Sequence, residues 1–530
     1  MYKPSFFRNS LIVIALILGI YFRFEHLEKK LIWHDEIGTC LFSAGLGIDE
    51  WQGALYTADL YSAKAVREIQ SMNPKGILSV ISSLIQDDPQ HPPLYYIAAG
   101  IWTHLFGDGI ATLRMLSALF SMLCFPAMYW LCKELYSKSQ IAWTGVALIA
   151  SSPFFVLYAQ EGREYTLWFV LILFSNAALL RAIRLTETNV RRSERTKAWI
   201  LFSFITTLGL YTSLATVSMM FGQVLYIILR ERFRITNVSL ESFGAYLVTS
   251  ILFLPWALAL LLRWEAFEIS MAWSKIIHIP VQSLLEINAL NISRTSIDFW
   301  PDRLYGGILT PIGIGVATVI AMGSVLYLIR GTSFKTTGLV LTLICVPLMM
   351  LLGPDLFFGG IRSVSARYIA PSLIGLELSL AYLFGMKRER KDSIWEGALC
   401  LVLCVRLASC FHNSEQEVVW TKGISYNLPQ AAQIINAAPN PLVVGNRERH
   451  HPGNLLALSH LLKSSTKMQF LTPAVTENAD YRLPNNFTVF LYSPVEEFRL
   501  ALEKREHIRT RLLLQDLHLE LWIVEKDTLP

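Results

Sequence analysis

Asp35 and Glu36 stand side by side just after the first apolar stretch of the chain, in the run Trp33-His34-Asp35-Glu36. A carboxylate at a membrane surface, partly desolvated by neighbouring helices, suits a general base that takes a proton from a hydroxyl or amine nucleophile. Solvated carboxylates cost little there, and an ordinary hydrated loop is the competing reading. The block Gln90-His91-Pro92-Pro93-Leu94-Tyr95-Tyr96 comes second. Its prolines stiffen the entry to a helix, since their φ is fixed and their missing N–H is harmless in a first turn. His91 can donate a hydrogen bond to a phosphate, although an interfacial aromatic belt also explains the block. A third run, Tyr158-Ala159-Gln160-Glu161-Gly162-Arg163-Glu164-Tyr165, carries more charge than a turn between two apolar segments needs. Its plainer account is a structural ion pair between Glu161 and Arg163. Arg362 and Arg367-Tyr368 close the set, because guanidinium presents a fixed fork of donors to phosphate. Snorkelling to the interface accounts for one such arginine without any function.

Elements that would position these residues follow from composition. The chain is 53% hydrophobic and only 16% charged, against roughly 25% charged in soluble domains, so it reads as a membrane protein. Apolar stretches long enough to cross about 30 Å of hydrocarbon fall near 9–27, 111–132, 141–159, 165–183, 198–213, 214–230, 243–263, 305–329, 336–353, 365–386 and 394–411. That makes an α-helical polytopic protein of about 11 transmembrane helices. Loops holding Lys133 and Lys138, Arg181 to Lys197, Arg230 to Arg234, Arg330 and Lys335, and Lys387 to Lys391 are all basic. Lysine and arginine bias places these loops, and the N terminus with Lys3 and Arg8, in the cytoplasm. His91 to Phe106 must then lie at the outer surface or dip in and return, because a crossing there would turn every later basic loop outward.

The outer face thus receives a first loop at 28–110, a turn at 159–164, a loop at 264–304, a turn at 354–364 and the C-terminal tail. The expected division is 1–411 for the membrane domain and 412–530 for a small α/β domain outside it. Pro441 to Gly445, Phe487 to Tyr492 and Leu519 to Val524 read as strands and Asn454 to Lys463 as a helix. The seven cysteines show no CxxC or Cys/His ligand spacing, so neither zinc nor a disulfide framework is indicated. Leu11 to Phe24 lacks a small-residue cleavage site and reads as an uncleaved helix. The net charge of +5 is accounted for by short loops, with no nucleic-acid patch.

The four blocks, in this order, resemble the GT-C class of integral-membrane glycosyltransferases. The branch is the family-39-like one of protein O-mannosyltransferases and aminoarabinose transferases. The likeness covers roughly residues 1–390 and rests on the acidic pair, His-Pro-Pro-Leu-Tyr-Tyr, Gln-Glu-Gly-Arg-Glu-Tyr, and Arg367-Tyr368 with Pro371. It implies a sugar donor carried on a polyprenyl phosphate and a hexosyl or pentosyl transfer to an extracytoplasmic acceptor at the inner membrane. By the same resemblance Asp35 is the base, Glu36 supports it, and Glu161 is a second acidic site residue. His91, Arg163, Arg367 and Tyr368 hold the donor phosphate, with Gln90, Tyr95 and Tyr165 as further pocket residues. Where aminoarabinose transferases carry Glu-Lys before the two prolines, this chain has Gln90-His91, so a metal at that block is not expected. Asp35, Glu36 and Glu161 offer the oxygen ligands that Mg²⁺ or Mn²⁺ would take. A lipid or solute transporter is the rival reading, but transporters place ionisable residues near the bilayer midplane. Here the charges gather at helix ends.

Overall fold

Long apolar helices dominate the computed structural model of the chain, which describes residues 4–70, 75–188, 190–300, 309–446, 452–477 and 481–526. By its internal contacts it divides into two compact units. The first comprises Met1–Leu27, Leu84–Ala98 and Leu113–Gln416, and the second Glu28–Ser83, Ala99–Thr112 and Glu417–Pro530. The expected boundary at 411/412 follows the change in composition. By contacts, most of the 28–110 loop is grouped with the C-terminal segment in the second unit.

Among the described residues seven helices are long and apolar enough to cross a membrane, and the pair Ser139–Ser151 and Pro153–Ala159, bent by 59°, makes eight if counted as one span. The protein is therefore a multi-pass membrane protein. Three of the eleven stretches expected to span fall outside this set. Ser10–Phe24 and Thr216–Arg230 are short apolar helices, and Arg192–Thr212 opens on a charged turn. The 305–329 stretch enters the described residues at Leu309. Leu94–Phe106 has 13 residues, about 20 Å of helix, too short for a hydrocarbon core of about 30 Å.

Within the first unit, Tyr165–Glu187 and Ala366–Glu389 are 83% and 89% buried over their apolar windows, whereas Asn237–Leu262 and Thr310–Gly331 are only 22% buried. The first two are the inner helices and the last two present their apolar sides outward. Polar side chains join the helices where lipid offers no partner. Gln223 donates to Ser175 Oγ at 3.2 Å and to Asn176 Oδ1 at 3.1 Å, and Tyr246 donates to Gln223 at 3.2 Å. Asn237–Leu262 starts from a reciprocal capping box between Thr236 and Ser239, which satisfies donors the first turn would otherwise leave open.

The 59° bend has a sequence cause. Pro153 at the first position of the second piece holds Ser152 in an extended conformation, φ −70° and ψ 123°, and ends the first piece. Four carbonyls at the break then lack helical donors, and side chains supply them one by one. Arg406 donates to Leu148 O at 2.7 Å, Arg23 to Ile149 O at 2.9 Å and Ala150 O at 2.6 Å, and Cys410 Sγ to Ser151 O at 3.4 Å. Helix Pro4–Phe24 comes this close because residue 19 is glycine; a Cβ there would run into the Ala150 carbonyl oxygen. Arg406 also pairs with Glu377 at 3.0 Å, and both side chains are fully buried.

The basic loops meet at one end of this bundle. Arg184 pairs with Glu134 at 2.9 Å, while Arg230 and Lys335 both pair with Glu187, at 2.9 and 2.8 Å. Lys138 pairs with Glu389 at 2.8 Å.

The second unit is built on a six-stranded sheet, with β1 Leu60–Ser62, β2 Pro441–Asn446, β3 Lys467–Leu471, β4 Thr488–Tyr492, β5 Ile508–Gln515 and β6 Glu520–Lys526. Strand order is β1-β3-β2-β4-β6-β5. β2 runs parallel to β3 and β4, and the outer pairings are antiparallel. β2, β3 and β4 are buried along nearly their whole length, as parallel strands covered on both faces must be. Leu442, Val444, Leu471, Val489 and Leu491 pack with Phe498 and Leu502 of helix Glu496–Glu506. β1 comes from the first loop, far in sequence from its partner β3.

Candidate active site

In the first unit, the blocks at 88–96 and 158–165 meet at the Arg163 guanidinium, and 366–368 joins them at the Tyr165 ring. Helix Pro153–Ala159 runs out at Gln160, whose side chain donates to Phe22 O at 2.7 Å and Glu25 O at 2.8 Å. The Arg163 N–H donates to Glu161 O at 2.8 Å, closing the turn that delivers Arg163 before helix Tyr165–Glu187 begins. Arg163 is 4% exposed. It donates to Tyr96 OH at 3.2 Å, to His91 Nε2 at 3.0 Å and to Tyr165 OH at 3.4 Å, and pairs with Glu164 Oε2 at 3.2 Å. Thus the ion pair of this turn joins Arg163 to Glu164.

His91 is anchored from its other side. Its Nδ1 lies 2.8 Å from Asp88 Oδ2, and its own N–H donates to Asp88 O at 3.1 Å. Burial opposes charge on the imidazole, but Asp88, by charge and hydrogen bond, and Glu164 outweigh it. Arg163 pulls the other way, and the pKa stands above the ordinary histidine value. With Nε2 accepting from Arg163, the Nδ1–H of this half-buried side chain donates to Asp88.

Arg367 belongs to a single turn, Ala366–Ile369, ahead of helix Ala370–Glu389. Its guanidinium lies 5.1 Å over the Tyr165 ring and 5.2 Å over the Tyr368 ring. Stacking of this kind is one way a guanidinium is held beside aromatic faces. Arg367 and Tyr368 are half-buried, whereas Glu161, Tyr158 and Tyr165 are buried. Glu161, Arg367, Arg294 and Tyr368 are all near enough to act on the charge of Tyr158. The guanidinium fork and the aromatic faces around it form an anion-binding arrangement with carboxylates at its back.

Several expected residues take other places. Tyr95 is fully buried and bonds Ser117 Oγ at 2.7 Å; its neighbour Tyr96 reaches Arg163, as successive helical side chains point about 100° apart. Gln90 is half-buried in the loop before His91. Arg362 is bound to Asp355 at 2.8 Å and to Gly359 O at 2.8 Å, a link within its own turn. Sequence reasoning missed Asp88, Glu164 and Arg294 as site components. Asp88 had a signal, an acid three residues before His91. Arg294 had none, since it lies in the 264–304 loop and is tied by a 3.7 Å pair to Asp298.

Asp35 and Glu36 belong to the second unit, in the first turn of helix His34–Ser43. Negative charge is favourable there, because the first turn carries unsatisfied N–H groups. Glu36 is 1% exposed and its Oε2 receives Lys422 Nζ at 2.8 Å. Asp35 is half-buried. Among the described residues no group of three or more His, Cys, Asp or Glu side chains is arranged to hold a metal ion. Of the three expected oxygen ligands, Glu36 is engaged by Lys422, and no step is routed through a metal.

Residues 90–259 match the family model described as dolichyl-phosphate-mannose-protein mannosyltransferase. That interval holds His91, Glu161, Arg163 and Tyr165, and about a third of the chain. No curated protein matches in sequence. Among solved structures, ArnT from Cupriavidus metallidurans bound to undecaprenyl phosphate aligns over 99% of this chain and 99% of its own, at 12% identity and a TM-score of 0.53. Archaeal oligosaccharyltransferase AglB from Archaeoglobus fulgidus, in complex with an inhibitory peptide and a dolichol-phosphate, aligns over 100% of this chain and 75% of its own, at 11% identity and 0.50. At such identities the likeness is one of fold. Over residues 90–259 the chain is thus similar to that mannosyltransferase family, and over its length it shares a fold with ArnT and AglB.

Proposed function

We propose that the chain is a glycosyltransferase that moves a sugar from a polyprenyl-phosphate donor to an acceptor on the extracytoplasmic side of the inner membrane. The observation that carries this is the Arg163–His91–Arg367 cluster with its tyrosine faces. It sits at the Tyr165 end of a 23-residue helix whose Glu187 end gathers the basic loops. About 34 Å of helix separates the two ends, the thickness of a membrane. In the same fold, ArnT holds undecaprenyl phosphate and AglB a dolichol-phosphate. Here the three short or charged-ended helices complete eleven passes, with the N terminus in the cytoplasm.

Transfer is a single displacement with inversion. Asp35 takes the proton of the acceptor O–H or N–H, the freed electron pair forms the bond to the anomeric carbon, and the bond from that carbon to the phosphate oxygen breaks. Polyprenyl phosphate leaves with that electron pair. Arg367, with His91 beside it, meets the charge that develops on it, a role in which a fixed cation acts most strongly when water is excluded. Arg163, sunk beneath them, holds both His91 and the Tyr165 ring in place, and Glu161 completes the acidic side of the site.

Mass spectrometry of envelope glycolipids and glycoproteins, with and without the protein, tests this reading. Loss of a sugar from one acceptor, restored by the wild type, is the expected result. Asp35→Asn should restore it about 10²–10⁴-fold more slowly, the usual contribution of a general base. Full activity in that variant removes Asp35 from the role; an unchanged envelope with donor accumulating on one side would mark transport instead.

A further inference from the structure

We propose that Lys422 is a positioning residue that aims Asp35, an inference resting on the reading of Asp35 as the base. Asp35 sits on the first turn of helix His34–Ser43, whose N-cap Trp33 provides no side-chain cap. Such a turn frays readily, because its N–H groups lack helical partners. Here the residues on both sides of Asp35 are held by one short segment of the same unit, Trp420–Ser425. Lys422 Nζ bonds Glu36 Oε2 at 2.8 Å, with side-chain exposures of 0% and 1%. The same ammonium lies 6.0 Å over the Trp33 ring. The His34 N–H donates to Ser425 Oγ at 3.2 Å, and Ser425 Oγ donates to Asn454 Oδ1 at 2.6 Å. Asn454 returns a bond to Ile424 O at 2.9 Å.

Residues 33, 34 and 36 are thus fixed while 35 stays half-buried between them. Neighbouring helical side chains diverge by about 100°, so the direction of Glu36 sets that of Asp35. The Lys422–Glu36 pair sets two opposite charges in contact, both out of water. Glu36 held in this way orients rather than takes a proton. A misplacement of about 1 Å in a reacting group costs up to about 10²-fold in rate.

The test measures the initial rate of envelope glycan labelling per folded copy of full-length protein, in cells lacking the native gene. Thermal unfolding of each purified variant is followed in parallel. Lys422→Met should lower the rate about 10- to 100-fold, and Lys422→Arg should keep most of it. Glu36→Leu combined with Lys422→Met should regain thermal stability, since a buried ion pair exchanges well for apolar side chains, yet stay slow. A rate that recovers along with stability would make the pair merely structural and overturn the proposal, as would a wild-type rate in Lys422→Met. If Asp35→Asn alone keeps the wild-type rate, the base reading itself has failed. A slow Asp35→Asn beside a fast Lys422→Met sinks only the role of Lys422.

Discussion

Replacing Arg163 by methionine should do more harm at neutral and alkaline pH than in mild acid. Arg163 and Glu164 have side-chain exposures of 4% and 5%, and their pair spans 3.2 Å. Removing one member of such a pair leaves a buried charge uncompensated, at a cost of about 3–5 kcal/mol. One cation remains within reach of Glu164: His91 Nε2, 3.7 Å from Glu164 Oε1. Its folded pKa is raised, so a protonated His91 contributes stability that is fully present below its unfolded pKa of about 6.5. That contribution is lost as pH rises through the higher folded value. Removing Arg163, which lowers this pKa, raises it further. The Arg163→Met deficit should therefore lie at the low end of the range near pH 5.5 and approach the high end near pH 9. Thermal unfolding in detergent over this pH interval, for the wild type, Arg163→Met, His91→Gln and the double variant, measures it. A deficit independent of pH, or one unaltered by His91→Gln, would refute the electrostatic account of the cluster.

Two further outcomes follow from geometry. Arg367→Ala removes the stacking on Tyr165 and Tyr368, worth about 1–2 kcal/mol of thermal stability. It should weaken binding of undecaprenyl phosphate by about tenfold or more, the worth of one charge-assisted hydrogen bond; unaltered binding by scintillation proximity would take Arg367 out of the site. Arg406→Met should destabilise by about 3–5 kcal/mol through Glu377. Glu377→Leu in the same chain should return only part of this, because Leu148 O keeps only the 3.3 Å bond from Ser151 Oγ and Ser296 loses its bond from Arg406, a loss of about 1–3 kcal/mol. Full recovery in the double variant would show that the carbonyl is satisfied elsewhere.

Charged and aromatic residues interrupting apolar runs made the three membrane-side blocks legible, and the structure gathers them at Arg163 and the Tyr165 ring. The partners within them were not legible, because contact order inside a cluster depends on tertiary packing. Tyr95 and Tyr96 are equivalent in sequence, yet one faces Ser117 and the other Arg163. Strands at 441–446, 488–492 and 520–526 were readable from buried apolar runs between turn residues. The addition of β1 from the first loop was not, since three residues carry no period of their own. Lys422, 386 residues beyond Glu36, gave no local sign of its bond. Apolar length alone does not separate a 15-residue helix such as Thr216–Arg230 from a full crossing.

Arg23 has a bearing on how orientation is inferred for chains of this kind. A tally of lysines and arginines near the ends of hydrophobic segments would enter it as a vote, at the end of Pro4–Phe24 away from Lys3 and Arg8. Yet its guanidinium is wholly enclosed and spent on the carbonyls of a severed helix. Such a cation never meets the field or the headgroups that give the rule its force, so it should carry no weight in the balance.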